Sequence, residues 1–331
     1  MEGCLIITYR CNAKCCMCNT WRHPSEKRGE FSPDLVDKLP DRLDFINITG
    51  GEPFLREDIE EIVEKALRKT RRLVISSNGY FTDRIIKLFK RFQREPLGIR
   101  VSIEGLPAAN DALRGMKNGF DHGLRTLTAL YGMGVRDIGF GITVSDRNAY
   151  DMMELYRLAH AMGVEFATAT THNSFYFHKY DNRYEDQEKV AVAFENIAVE
   201  LLKSSRPKNW FRAYFNMGLA RKVRGLQRAL PCEVGTDMFF VDPFGNLLPC
   251  NGSDHPMIMG NLLEHGFDEI WNSPKADTVR KMVKKCDKQC WMIGSASPAM
   301  KKRIFIPVRW VVRNKFKMMI SKNKHICLDD I

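Results

Sequence analysis

The chain has 331 residues, 44% hydrophobic and 27% charged, and Lys plus Arg (51) exceed Asp plus Glu (40) for a net charge of +11. That length allows a full core in one large or two unequal domains, and no apolar run reaches the roughly 20 residues of a transmembrane helix. The apolar stretch at residues 4–8 is too short for a secretory signal, so the expectation is a cytoplasmic protein whose ten cysteines serve as metal ligands or reactive thiols rather than disulfides.

In chain order, apolar β-branched runs that read as buried strands fall at residues 4–8, 44–48, 73–77, 99–103, 138–144 and 164–170. Helical patterns separate them. The clearest covers 56–70, where Ile59, Ile62, Val63, Ala66 and Leu67 form one stripe; another covers 149–162 and stops at Gly163. Alternating strand and helix imply a parallel α/β sheet, and right-handed crossovers curl six such units into a partial (β/α)6 TIM-like barrel with its chemistry at the strand C-termini.

The loops at those ends are unusual. After the first strand come Cys11, Cys15 and Cys18, separated by three and then two residues, with Cys16 between them. An iron–sulfur cluster ordinarily takes four thiolates, so three on one loop leave an iron open. A zinc knuckle would need a fourth Cys or His, for which His23 is the nearby candidate. Gly50-Gly51-Glu52-Pro53 follows the second strand, Ser76-Ser77-Asn78-Gly79 the third, and Ser102-Ile103-Glu104-Gly105 the fourth.

These four motifs, in this order over roughly residues 1–200, resemble the radical S-adenosylmethionine superfamily. The resemblance implies a [4Fe-4S] cluster on Cys11, Cys15 and Cys18 whose open iron binds the amino and carboxylate groups of S-adenosylmethionine. By the same resemblance Gly50, Gly51, Glu52 and Pro53 form a cofactor-binding loop in which Glu52 accepts from the methionyl amine. Ser77, Asn78, Ser102, Glu104 and Arg114 would line its carboxylate and ribose. Reductive cleavage would then give a 5′-deoxyadenosyl radical able to abstract hydrogen from an unactivated C–H, with an electron donor such as flavodoxin or ferredoxin. Met17 stands where the superfamily often has an aromatic residue.

Later, Cys232, Cys250, Cys286 and Cys290 surround a hairpin signal at Asp242-Pro243-Phe244-Gly245 and a helix starting near Asp268. With the Met259-Gly260-Asn261-Leu262 and Glu269-Ile270-Trp271-Asn272 segments, this resembles the C-terminal SPASM or twitch extension. Four thiolates suffice for one auxiliary [4Fe-4S] cluster; a structural zinc site is the alternative. The domains expected are the radical barrel at 1–205, a helical linker at 206–230, the auxiliary-cluster domain at 231–295 and a basic amphipathic tail at 296–331.

A fully ligated cluster favours electron transfer. The expected function is therefore oxidation or epimerisation of a polar metabolite, with a carbohydrate or aminocyclitol first, as in the twitch dehydrogenase of aminoglycoside pathways. A peptide-modifying SPASM enzyme is the alternative, and a non-catalytic Fe–S or zinc scaffold a distant one. His172, Tyr176 and Cys16 are the candidate catalytic residues, as acid, base or hydrogen donor. Residues 301–331 hold nine Lys or Arg against Asp329 and Asp330. There Val308, Val311, Val312, Phe316, Met319 and Ile320 recur at helical spacing opposite Arg309, Arg313 and Lys317. Such a helix either packs its stripe on the barrel or lies on an anionic membrane. No groove-reading motif accompanies the charge, so specific nucleic-acid binding is not expected.

Overall fold

A computed structural model describes residues 1–320, 328–329 and 331. Six strands, β1 (Glu2–Ile6), β2 (Phe45–Thr49), β3 (Leu73–Ser77), β4 (Leu97–Ser102), β5 (Ile138–Val144) and β6 (Glu165–Thr170), pair in parallel and in sequence order. Between them lie α1 (Ile59–Lys69), α2 (Thr82–Arg91), α3 (Pro107–Arg114), α4 (Gly119–Gly132) and α5 (Met152–Ala161). In α1, Glu60 and Glu61 occupy the first turn and Arg68 and Lys69 the last, complementing the helix dipole, while Ile59, Ile62, Val63 and Ala66 are buried.

After β6, α6 (Gln187–Lys203) and α7 (Pro207–Val223) pack extensively against each other. The expected linker segment is thus largely α7, buried from Ala213 to Ala220. The chain then returns to the far edge of the sheet. β7 (Met238–Val241) pairs in parallel with β1, and β8 (Asn246–Leu248) and β9 (Gly260–Asn261) add on antiparallel, so the sheet order is β6-β5-β4-β3-β2-β1-β7-β8-β9. Asp242 accepts from the backbone N–H groups of Phe244 and Asn246 and fixes the β7–β8 turn. Four further helices follow: α8 (Phe267–Trp271), α9 (Pro274–Lys284), α10 (Ile293–Lys302) and α11 (Phe305–Ile320).

Successive residues of β1 point to opposite faces and so serve two cores. Leu5 joins the large core beneath the helices, whereas Cys4 and Ile6 join a smaller one with Tyr9, Tyr176, Met238, Phe240 and Leu248. This second core ties the barrel to the C-terminal strands.

The tail departs from its expected packing. In α11 the buried residues are Pro307, Trp310, Val311 and Asn314, and of the expected stripe only Val311 is buried. The helix has two apolar arcs, and the one carrying Trp310 meets Tyr214 of α7, with ring centroids 5.6 Å apart. Cys327 lies outside the described residues.

Candidate functional site

The loop after β1 is fastened to the C-terminus of α3. Lys14 N–H donates to Arg114 O and Cys16 N–H to Leu113 O, each at 2.9 Å. Gly115, at φ +55°, makes this approach possible, since a Cβ there would stand 2.6 Å from Lys14 O. Burial pushes the Cys11 thiol up to about 12 and the Cys15 thiol up to about 11, and raises Cys18 as well. Arg114 acts on all three in the opposite sense. Cys16 is exposed. The loop thus presents three desolvated sulfurs to one fixed cation and turns its fourth cysteine outward.

The Gly50–Pro53 loop lies against the same backbone. Gly51 N–H donates to Thr8 O at 2.7 Å and Glu52 N–H to Arg10 O at 2.8 Å, and a side chain at Gly51 would run into Arg10 O. Glu52 is fully buried. Its Oε1 accepts from Phe54 N–H at 3.1 Å and Ser77 Oγ at 2.9 Å, and its Oε2 from Asn78 N–H at 2.8 Å. A carboxylate offers about four acceptor positions, so one remains on Oε2. Burial raises the Glu52 carboxyl, while these bonds and Arg114 work against the rise. Asn78 Nδ2 also reaches Asn12 Oδ1 in the cysteine loop at 2.7 Å.

Glu104 accepts from Arg114 Nη1 at 2.8 Å and from Thr143 N–H at 2.6 Å, and both side chains of the Glu104–Arg114 pair are buried. Burial opposes the ionisation of Glu104 and Arg114 favours it. Arg114 Nε is buried without a hydrogen-bond partner among the described residues. An unpaired buried N–H is costly, and a ligand carboxylate would satisfy it. Ser102, half-buried, ends β4 two residues before Glu104.

A second cysteine group forms beyond β6 and β8. Cys290 is electrostatically coupled to Cys286, Cys232 and Cys250, and burial pushes Cys250 up to about 12. Cations surround it. Lys222 Nζ donates to Thr171 O at 3.0 Å, Lys288 bridges Asn173 O, Gly252 O and Asp254, and Arg228 donates to Cys290 O and Ser295 O. Burial drives Lys222 down to about 8, with Cys290 opposing the shift. Asn251 Oδ1 is buried and unpartnered among the described residues. Arg228, Lys222 and Lys288 have no signature in the sequence, because a lone cation on a helix or loop reads as surface charge.

Of the candidate catalytic residues, Cys16 is exposed, while His172 and Tyr176 each hydrogen-bond a backbone carbonyl. His172 Nε2 lies 3.1 Å from Gly252 O, beside Cys250, and burial followed by Lys222 and Lys288 pushes the ring down to about 3. It is a neutral imidazole whose Nε2–H donates to that carbonyl. Tyr176 is buried and its hydroxyl donates to Gly50 O at 2.8 Å. These contacts brace the site rather than leave either group free in the barrel mouth.

The residues present fit iron–sulfur chemistry: both donor sets are sulfur-only and face fixed cations, Cys11, Cys15 and Cys18 are desolvated beside the orphaned Arg114 Nε, and in the second set Cys250 and Cys290 are partly buried while Cys232 and Cys286 are exposed. Among the described residues no three His, Cys, Asp or Glu side chains converge tightly enough to hold a single metal ion. In a cuboidal cluster each thiolate binds a different iron, so its ligands surround a body rather than meet at a point.

A partial barrel with three thiols after its first strand and a four-cysteine extension defines the class of radical enzymes that use an iron–sulfur cluster and S-adenosylmethionine. Models of the radical SAM superfamily match residues 5–159, and of the SPASM iron-sulfur cluster-binding domain residues 232–292. The chain thus carries a radical SAM domain and a C-terminal SPASM domain, and the cofactors these domains imply are S-adenosylmethionine, a [4Fe-4S] cluster and auxiliary iron–sulfur.

Among named relatives, Fe-coproporphyrin III synthase of Methanosarcina barkeri is 34% identical over 158 residues, a match covering 46% of this chain and 39% of that protein. AdoMet-dependent heme synthase of the same organism is 27% identical, covering 83% and 82%. Mycofactocin maturase MftC of Mycolicibacterium smegmatis is 26% identical, covering 80% and 68%. The solved structure of anSMEcpe with bound AdoMet and Cp18Cys peptide shares the fold at a TM-score of 0.63 and 15% identity, covering 96% of this chain and 99% of that one.

Proposed function

We propose that this chain is a radical SAM enzyme that modifies a peptide by hydrogen abstraction. The observation that carries the chemistry is the convergence, at one barrel rim, of three desolvated thiols, the unpaired N–H of Arg114 and the remaining acceptor on Glu52. Cys11, Cys15 and Cys18 would hold the [4Fe-4S] cluster. Glu52 would take the methionyl amine, and Arg114, held by Glu104, would face its carboxylate. Ser77, Asn78 and Ser102 would complete the pocket for carboxylate and ribose. When bound, cluster and cofactor supply the 5′-deoxyadenosyl radical; the protein orients the cofactor and excludes water.

Cys232, Cys250, Cys286 and Cys290 would hold the auxiliary cluster, with Lys222, Lys288 and Arg228 countering its negative charge. That cluster would carry an electron to or from the substrate radical, and a flavodoxin or ferredoxin would serve as reductant. The maturase among the named relatives and the anSMEcpe structure with a bound peptide support a peptide over the carbohydrate or aminocyclitol expected from the auxiliary cysteines alone. A tetrapyrrole is the second reading, favoured by the nearly full two-way coverage of the haem synthase. Contact with a bilayer, in this reading, is peripheral and made through α11.

Anaerobic incubation with dithionite and S-adenosylmethionine, together with separate peptide, tetrapyrrole and polar-metabolite fractions of the source cell, tests it. The expected result is 5′-deoxyadenosine together with a peptide of altered mass or isotope content in deuterium oxide. A modified tetrapyrrole or sugar with an unchanged peptide fraction would refute the peptide assignment, and absence of cofactor cleavage would refute the radical chemistry.

A further inference from the structure

Packing consumes one face of α11 and leaves the opposite face apolar. Trp310, Val311 and Asn314 are at most 6% exposed, whereas Phe305 is 83%, Val312 63%, Phe316 60% and Met319 76% exposed. With 3.6 residues per turn, Phe305, Val308, Val312, Phe316 and Met319 fall in one narrow stripe, directed away from the molecule. Such a stripe facing water calls for an occupant.

The charges identify it. Residues 305–320 contain Arg309, Arg313, Lys315 and Lys317 and no acid. Arg309 and Arg313 follow the stripe along one side and are exposed, and Asp329 pairs with both Arg313 and Lys317. We propose that α11 docks in the plane of an anionic lipid surface, with the Phe305–Met319 stripe among the acyl chains and Arg309 and Arg313 at the level of the head groups. A second copy of the chain would bring two cationic helices together, whereas anionic lipid neutralises them.

The packing also sets the orientation. α7 rises along β6, from Lys208 and Arg212 at Glu165 to Lys222 at Thr171. α11 runs antiparallel to it, with Trp310 against Tyr214 and Lys315 over Trp210. The stripe therefore follows the strand direction, and docking lays the barrel on its side with its mouth opening along the surface.

Full-length loaded protein should co-sediment with vesicles containing phosphatidylglycerol and not with pure phosphatidylcholine vesicles, and the binding should weaken as salt rises. Val312→Glu with Phe316→Glu, both at exposed positions, should lower the bound fraction at least roughly tenfold while cofactor cleavage is retained. Arg309→Glu should weaken binding to anionic vesicles alone. The proposal is overturned if the wild type ignores anionic vesicles or if the double variant binds them equally well. A self-association or protein partner abolished by the double variant, with no vesicle binding, would also overturn it.

Discussion

Replacing Glu52 by Gln keeps the shape and removes the charge, so the resulting losses can be worked out from its three contacts. Oε1 serves Phe54 N–H and Ser77 Oγ, and Oε2 serves Asn78 N–H. An amide accepts on one side only. If its NH2 faces Asn78, two donors meet; if it faces Phe54, that N–H loses its acceptor while Ser77 can turn. Either way one buried backbone N–H is orphaned, costing about 1–3 kcal/mol of stability. The ligand loses more specifically, because a charge-assisted bond to its amine contributes about 1.5–3 kcal/mol, or roughly 10- to 150-fold in affinity. Anaerobic calorimetric titration with S-adenosylmethionine measures the second effect, denaturant unfolding the first, and iron content should not change. Unchanged cofactor affinity would refute the ligand role of Glu52, and an unchanged unfolding midpoint would refute its role in tying the β2 and β3 loops together.

The Cys11→Ala, Cys15→Ala, Cys18→Ala variant should lose about four irons per chain and all S-adenosylmethionine cleavage while keeping the auxiliary-cluster spectrum; loss of zinc in place of iron would contradict the cluster assignment. Lys222→Met removes a cation coupled to Cys290, so the auxiliary cluster's midpoint potential, followed by redox titration with EPR, should fall, and an unchanged potential would separate Lys222 from the cluster. At the other end of the barrel, burial raises the Asp137 carboxyl but Arg72 and Arg100 outweigh it and hold it at about 2. Its contribution is present above the unfolded value of about 4 and is lost as pH falls toward 2, so Asp137→Asn should lower the urea midpoint at pH 7 with a gap that narrows below about pH 4; a gap constant with pH would sink the ion-pair account.

Much of the barrel was legible because strands buried on both faces of a parallel sheet are continuous apolar runs, as at Leu73–Ser77 and Ile138–Val144. The cofactor loops were legible for a related reason: each motif is a short local segment at the end of such a run. The pairing of β7 with β1 was not, since local composition carries no record of a parallel partner brought in from a distant part of the chain. Nor did periodicity identify the buried arc of α11. Asn314 reads as polar, yet it is fully buried because its Nδ2 donates to Trp310 O and its Oδ1 accepts from Asp329 N–H. Lys222 and Arg228 acquire meaning only from neighbours that the fold supplies.

The segment after β6 shows why His172 and Tyr176 are plausible candidates in sequence and what else they do in the structure. It leaves the same rim as the cysteine loop, which is where acids and bases of a barrel enzyme belong. Its polar groups are used, however, to join the two cysteine sites. Asn182 Nδ2 donates to both Met17 O and His172 O at 3.1 Å, Asn19 Nδ2 donates to His178 O at 3.0 Å, and Thr20 Oγ1 donates to Tyr176 O at 3.2 Å. On the other side His172 holds Gly252, two residues beyond Cys250. One stretch of about ten residues therefore touches the loops of both groups, and the sheet does the same from beneath, since β1 precedes the first group and its neighbour β7 leads into the second. A fixed separation between two redox centres needs this kind of double fastening, because one flexible tether would let the distance, and with it the electron-transfer rate, drift. The residues that hold the separation do so through single hydrogen bonds to backbone, His172 Nε2–H to Gly252 O and the Tyr176 hydroxyl to Gly50 O. His172, Tyr176 and the exposed Cys16 therefore stay the candidates for acid, base or hydrogen donor, and replacing each in turn, with cofactor cleavage and product formation read separately, tests them.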